Sequence, residues 1–402
     1  MAKMKKRYYW LLLICIVALM VYYITESFDG NGDYISIDEM GELFSHANTY
    51  QNIPTYDGSN QSVHPDIYFN ASGWNNWKYW MVMTPYPNSN SAYENPSILV
   101  SNDGSTWNVP DGLSNPIDPQ PASGFNSDTD IINVNGTLWV YYRWNPGDGS
   151  TSLRMRNSTN GTSWSDEYEI FNVATSGHFA SPSVVYKDGL FKMWAVNTTA
   201  DSIIFYNSSD GMNWNGPYST NFFPSFPGDP WHTNVDWIEE ENEYWMVYNG
   251  PHDVFPIIPW FSLHIHHGST SNIYFANSSD GITWQTWRRS LLSNTDSGWD
   301  AGELYRVAFL YNLSGNNILE LWYSAKNKST GWHIGYTSKS FSKSDLFDLS
   351  FSPGNQDSAM NVPVVGVIYQ SKMKSFLWMS GQESRAIDIK DISFDKNIVD
   401  DT

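Results

Sequence analysis

The sequence predicts an all-β chain: a five-bladed β-propeller preceded by one N-terminal transmembrane helix. Three observations carry that expectation. The string SNDGSTW at Ser101 returns as STNGTSW at Ser158, SSDGMNW at Ser208 and SSDGITW at Ser278. Between these strings run short stretches of alternating apolar residues bounded by Gly and Asn turns, the pattern of half-buried antiparallel strands. Lys3, Lys5, Lys6 and Arg7 precede an apolar run from Tyr8 to Ile24. A repeating unit of this size, rich in aromatics and turn residues, points to small sheets set in a ring.

In chain order, the apolar run of about 17 residues is near the lower limit for a spanning helix. Basic residues before it and Glu26, Asp29 and Asp33 after it place the N-terminus in the cytoplasm and the remainder outside. No small-residue cleavage site follows, since the next residues are Thr25, Glu26, Ser27 and Phe28, so an uncleaved signal anchor is expected. The expected boundaries are a cytoplasmic tail over 1–7, the anchor over 8–24, a polar linker over 25–61, the propeller over 62–385 and an acidic tail over 386–402. Within the linker, a short docking piece is expected around Ile37 to Phe44.

The blades follow from the strand runs. The first has HPDIYF at His64, YWMVMTPYP at Tyr79 and PSILVS at Pro96; the second TDIINV at Thr129 and LWVYYRW at Leu138. The third has SPSVVY at Ser181 and FKMWAV at Phe191, and the fourth TNVDWI at Thr233 and YWMVYNG at Tyr244. The fifth has ELYRVAFLY at Glu303, LELWYSA at Leu319 and HIGYTS at His333, without the repeated string. GVIYQS at Gly366 and FLWMSG at Phe376 read as closing strands. In each repeated string, Asp-Gly or Asn-Gly supplies positive φ, the leading Ser can bond the turn, and the Trp plugs a seam between sheets. The string resembles the Asp-box of sialidases and other propeller glycosidases, which implies a rim staple with no chemistry of its own.

Aromatic residues make up 16% of the chain, with 20 Trp, and charged residues only 16%. Such a surface grips flat, uncharged polar ligands such as sugars, and the same aromatics fill seams between blades. A formal net charge of −20 excludes nucleic acid and anionic lipid surfaces as partners of the soluble part. The single cysteine, Cys15, lies in the apolar run, so no disulfide framework holds the fold. Sequons at Asn70, Asn135, Asn157, Asn197, Asn207, Asn277, Asn312 and Asn327 fit a glycoprotein facing outward.

Innermost propeller strands converge on a central funnel, so chemistry is sought at their starts. The polar residues there are Asp66, Asp128 with Asp130, Ser181 with Ser183, Asn234 with Asp236, and Glu303 with Arg306. Acids recurring in such places are costly unless solvated, paired or used. Through HPDI, YENPS, WHTNVDW and ELYRVA, the stretch from His64 to Phe341 resembles the arabinofuranosidase, fructosidase and levansucrase superfamily, of which glycoside hydrolase family 43 is the largest member. The resemblance implies inverting hydrolysis, with Asp66 as base and Asp128 or Asp130 as the modulator that orients and tunes. It also implies a Glu acid in the third blade, where this chain has SPSVV. The two-carboxylate mechanism then needs another acid, with Glu94, Asp236 and Glu303 as candidates.

His64, Arg143, Trp231, His232, Tyr305 and Arg306 are the expected substrate contacts. No metal ligand is assigned: His264 and His266, with His267 next, lack a third partner. Calcium in the axial channel is admitted only by the resemblance, without an acidic calcium-loop signature. Two functions stay open. One is a membrane-anchored, extracellular glycosidase-like protein acting on a glycan or polysaccharide. The other is a non-catalytic glycan-binding, adhesion or structural envelope propeller.

Overall fold

The alternating runs become antiparallel sheets, each strand bonded to the next in chain order. The computed structural model describes residues 42–222, 230–253, 266–287, 289–295, 297–313, 315–327, 329–346, 366–370 and 373–377. Blade one is β1 (Ser62–Trp74), β2 (Trp77–Pro85) and β3 (Ser97–Ser101). Blade two is β4 (Phe125–Val134), β5 (Thr137–Asn145), β6 (Thr151–Ser158) and β7 (Tyr168–Val173). Blade three comprises β8 (Ala180–Lys187), β9 (Leu190–Asn197), β10 (Ser202–Ser208) and β11 (Trp214–Ser219). Blade four comprises β12 (His232–Ile238), β13 (Glu243–Asp253), β14 (His266–Ser278) and β15 (Gln285–Thr286). Blade five is β16 (Glu303–Tyr311), β17 (Ile318–Asn327) and β18 (Gly331–Ser340).

Side chains alternate along a strand, and both faces of each blade are buried, so the middle strands read as nearly continuous apolar runs. On β2, Met81 and Met83 pack against Ala308, Leu310 and Trp322 of blade five. The intervening Trp80 and Val82 pack against Ile131 and Val140 of blade two. Further clusters join blade two to three, three to four and four to five. The seam between blades one and five closes the ring.

The repeated turns staple these seams. Ser101 Oγ accepts from Gly104 N at 3.0 Å, and Asp103 Oδ1 accepts from Ser105 N and Thr106 N at 2.8 and 2.7 Å. The same bonds close the turns at Ser158, Ser208 and Ser278. The glycine carbonyls then take a donor from the preceding blade: Trp322 Nε1 to Gly104 O at 2.9 Å, Tyr141 OH to Gly211 O at 3.0 Å and Trp194 Nε1 to Gly281 O at 2.6 Å. Gly161, at φ 78°, lies so close to the Trp80 ring that a Cβ would strike it. Blade five lacks the string, and the corresponding Trp245 Nε1 is buried without a partner.

The expected linker over 25–61 is more than a tether where it is described. Leu43 N and Phe44 N donate to Ser290 O and Leu291 O, and Gln51 N donates to Ile334 O. Gln51 also bonds Gly104 O and Trp107 Nε1 of blade one. This strap is tied down by His46, whose Nδ1 lies 2.6 Å from Asp300 and whose Nε2 lies 2.9 Å from Glu42. Burial opposes the imidazolium, but hydrogen bonds to Asp300 and Glu42 and their charges outweigh it and push the pKa up to about 10. A pKa raised by folding contributes stability below the unfolded value near 6.5, and that contribution is lost as pH rises through about 10. We expect the thermal midpoint of the wild type, but not of His46→Gln, to carry this decline between neutral and alkaline pH. Parallel curves for the two proteins would contradict it.

Of the two expected closing strands, the first is β19 (Gly366–Gln370), while FLWMSG is described only in its first two residues, at the end of β20 (Met373–Leu377); among the described residues β19 and β20 pair only with each other. The 8–24 segment, the 386–402 tail and His264 lie outside the described residues. Among the described residues no helix is long and apolar enough to cross a membrane.

Candidate functional site

The starts of the innermost strands place two layers of polar side chains around the axis. Register shifts fall between Val63 and Asp66, Ser127 and Asp130, and Ala180 and Ser183. At each bulge one residue other than glycine takes positive φ: His64 at 55°, Asp128 at 55° and Ser181 at 48°. This backbone is costly for such residues and is often held where a side chain must be aimed.

The lower layer laces neighbouring blades together. Asp66 accepts from Ile131 N at 2.7 Å, Asp130 from Val184 N at 3.0 Å, Ser183 from Val235 N at 2.8 Å and Asn234 from Phe309 N at 3.4 Å. Each of these residues occupies the same blade position. Ser183 and Ser181, which stand where the resemblance implies a Glu, belong to this lacing, and Ser181 Oγ accepts from Thr233 N. Asp66 also accepts from Asn234 Nδ2 at 2.8 Å. Burial pushes both carboxyls up, Asp130 further because Asp66 lies beside it, while the Arg306 guanidinium works against both.

The upper layer is different in kind. Its ligand atoms from His64, Asp128 and His232 lie within 4.8 Å of one another, and all three residues are buried. His64 Nε2 and His232 Nδ1 lie 3.2 and 3.4 Å from Asp128 Oδ1, yet neither has the alignment of a hydrogen bond, and His232 Nε2 is also unpartnered. Two buried imidazoles facing one carboxylate oxygen, with no hydrogen bond made by His64 Nε2 or by either nitrogen of His232, fit a metal ion. Burial, opposed by Asp128, pushes His64 down to about 3 and His232 well below its usual value. Both imidazoles are therefore neutral, as ligation requires. Burial alone would raise Asp128, but the Arg143 guanidinium, with Nε 3.0 Å from Asp128 Oδ2, holds it well below the usual carboxylate range. Two nitrogens and one oxygen suit a transition metal better than calcium, which takes oxygen ligands.

Around this cluster, Thr84 Oγ1 holds His64 Nδ1 at 2.9 Å, and Glu94 Oε2 lies 3.5 Å from the same atom. Burial and the Asp128 charge push Glu94 well above its ordinary value. Tyr305 packs against both histidines, with ring centroids 5.3 and 4.1 Å away. Burial and the Asp128 and Glu94 charges raise its hydroxyl well above the usual range, so the phenol keeps its proton. Trp231 Nε1 donates to the Tyr305 hydroxyl at 3.4 Å.

The structure thus brings together His64, Asp128, His232, Glu94, Arg143, Tyr305 and Trp231. Arg306 was expected to touch substrate, but it is wholly enclosed, donates to Pro182 O and lies 3.7 Å from Asp130. Its role there is to offset the buried carboxylates. Glu303 is not in the cluster and pairs with Lys326 at 2.9 Å. Asp236 accepts from Trp237 N, and burial with the nearby Asp66 charge pushes it up to about 7. This cluster of candidate metal ligands is not among the expectations from sequence. Its trace is the shared spacing of His64-Pro65-Asp66, Asp128-Thr129-Asp130 and His232-Thr233-Asn234.

No family model matches the chain. It is 28% identical over 389 residues to an A type blood N-acetyl-α-D-galactosamine deacetylase of Flavonifractor plautii, covering 76% of this chain and 49% of that protein. The chain therefore spans about half the length of that relative. It is similar to the crystal structure of an N-acetylgalactosamine deacetylase from F. plautii in complex with blood group B trisaccharide, with a TM-score of 0.67 and 27% identity. That match covers 78% of this chain and all of the other. A thermostable family-43 glycoside hydrolase shares the fold at a TM-score of 0.51 and 13% identity, over 74% of this chain and 94% of the other. The chain is a five-bladed β-propeller whose structural neighbours include family 43 glycoside hydrolases and an N-acetylgalactosamine deacetylase.

Proposed function

We propose that this chain is a metal-dependent N-deacetylase acting on an N-acetylated sugar of a glycan. The observation that carries the proposal is the buried His64–Asp128–His232 cluster with its unpartnered ring nitrogens, and the similarity to the F. plautii deacetylase supports it. His64, Asp128 and His232 would hold a divalent transition metal, which when bound polarises a carbonyl and lowers the pKa of water.

The protein's own groups supply the rest. Glu94 acts as general base, taking a proton from water as the new C–O bond forms at the acetamide carbon. It returns that proton to the nitrogen as the C–N bond breaks, which leaves the sugar amine and acetate. Tyr305, kept protonated, donates a hydrogen bond to the carbonyl oxygen as negative charge grows there. Arg143 keeps Asp128 charged and in place. Apolar walls from Tyr305 and Trp231 limit water around the reacting amide.

The glycosidase reading, with Asp66 as base and Asp130 as modulator, draws support from the neighbours' fold. Against it, both carboxylates are engaged by backbone N–H groups of the next blade. The basic and acidic flanks of residues 8–24 support a membrane anchor with the propeller outside. The test is incubation of the full chain with an N-acetyl-α-galactosaminide. Acetate and free amine should appear in equal amounts, stop with a chelator and return with added zinc, cobalt or manganese. Release of intact N-acetylated sugar would favour the glycosidase reading instead.

A further inference from the structure

We infer that Trp231 is the specificity-determining platform of this site and selects a galacto-configured N-acetylhexosamine. The inference rests on the proposed deacetylase reading and names the sugar face that the site grips. Trp231 is 50% exposed, the most exposed large hydrophobic side chain among the described residues. It immediately precedes the cluster histidine His232, and the two rings meet edge to face at 6.0 Å and 88°.

The indole is held rather than loose. Trp231 N donates to Asn249 O at 2.9 Å, and Nε1 donates to Tyr305 OH at 3.4 Å. With its polar atom turned toward Tyr305, it offers exposed apolar surface beside the cluster histidine. A platform fixed in advance loses little conformational freedom on binding.

The chemistry of that surface chooses the ligand. An aromatic face attracts C–H groups whose hydrogens carry partial positive charge. In a galacto-configured pyranose the hydrogens on C3, C4 and C5 form one continuous patch on one face. In the gluco epimer the C4 hydrogen moves to the opposite face and the patch is broken. A sugar stacked on Trp231 has its 2-acetamido group one substituent away from a ring that adjoins His232.

The test uses the full chain with methyl N-acetyl-α-galactosaminide and its gluco epimer. Wild type should prefer the galacto substrate by about tenfold in kcat/KM, the range that aromatic stacking supplies. Trp231→Ala should raise KM for that substrate by about tenfold and should level the two epimers. Trp231→Phe should fall between. In an Asp128→Asn background, which removes turnover, calorimetric affinity for N-acetylgalactosamine should weaken by the same factor on adding Trp231→Ala. Turnover with unaltered KM and epimer ratio in Trp231→Ala overturns the inference, as does a wild type without epimer preference. No turnover at all, with the calorimetric difference intact, overturns the deacetylase reading and leaves Trp231 as a sugar platform.

Discussion

Replacing His232 with alanine is expected to abolish deacetylation while the protein stays folded. The ring makes no hydrogen bond through either nitrogen, so its loss breaks no link between blades, whereas the bond from Thr233 N to Ser181 is retained. Two ligands remain of three, and the metal's contribution of several kcal/mol is lost, about 10³-fold or more in rate. Asp128→Asn should do the same for a second reason. It removes the charge that Arg143 faces at 3.0 Å, while an amide oxygen can still accept from Ser181 N. Elemental analysis of the purified variants should show metal in the wild type and little in either mutant. Full activity in metal-depleted His232→Ala would remove the cluster from the chemistry.

Glu94→Gln should lower kcat by about 10²–10⁴-fold and leave the bound metal unchanged. Glutamine has the same shape but cannot take a proton from water. Glu94 lies 3.5 Å from His64 Nδ1, whose position is already held by Thr84, so the substitution leaves the ligand ring fixed. Asp66→Asn is the contrast. It sets an N–H₂ or an amide oxygen where a carboxylate accepts from both Ile131 N and Asn234 Nδ2, an exchange that costs about 1–3 kcal/mol. The expected loss there is in thermal midpoint, with turnover per folded molecule retained. The reverse result, dead Asp66→Asn and active Glu94→Gln, would restore the family 43 assignment of the base.

Much of the architecture was legible in the residues. The four Ser-to-Trp turns, with Asp or Asn before the Gly, and the alternating strand runs point to five small sheets, because both patterns act locally: a turn needs positive φ, and a half-buried strand needs period two. Ser101 and Asp103 make their side-chain bonds within one turn, so their role can be read from seven letters. The polar residues at the strand starts are legible too, since acids recurring there are costly unless solvated, paired or used.

Their division of labour was not legible. His64 and Asp66 stand two positions apart, as do Asp128 and Asp130, and only the tertiary structure separates them into two layers. Bulges at positive φ turn the first of each pair toward a common point and leave the second bonded to the backbone of the next blade. His232, Asp128 and His64 come from three blades, and their convergence depends on ring closure between blades one and five. A chain written in order carries the spacing within each strand, but distances across an axis exist only once five packed seams have set its radius.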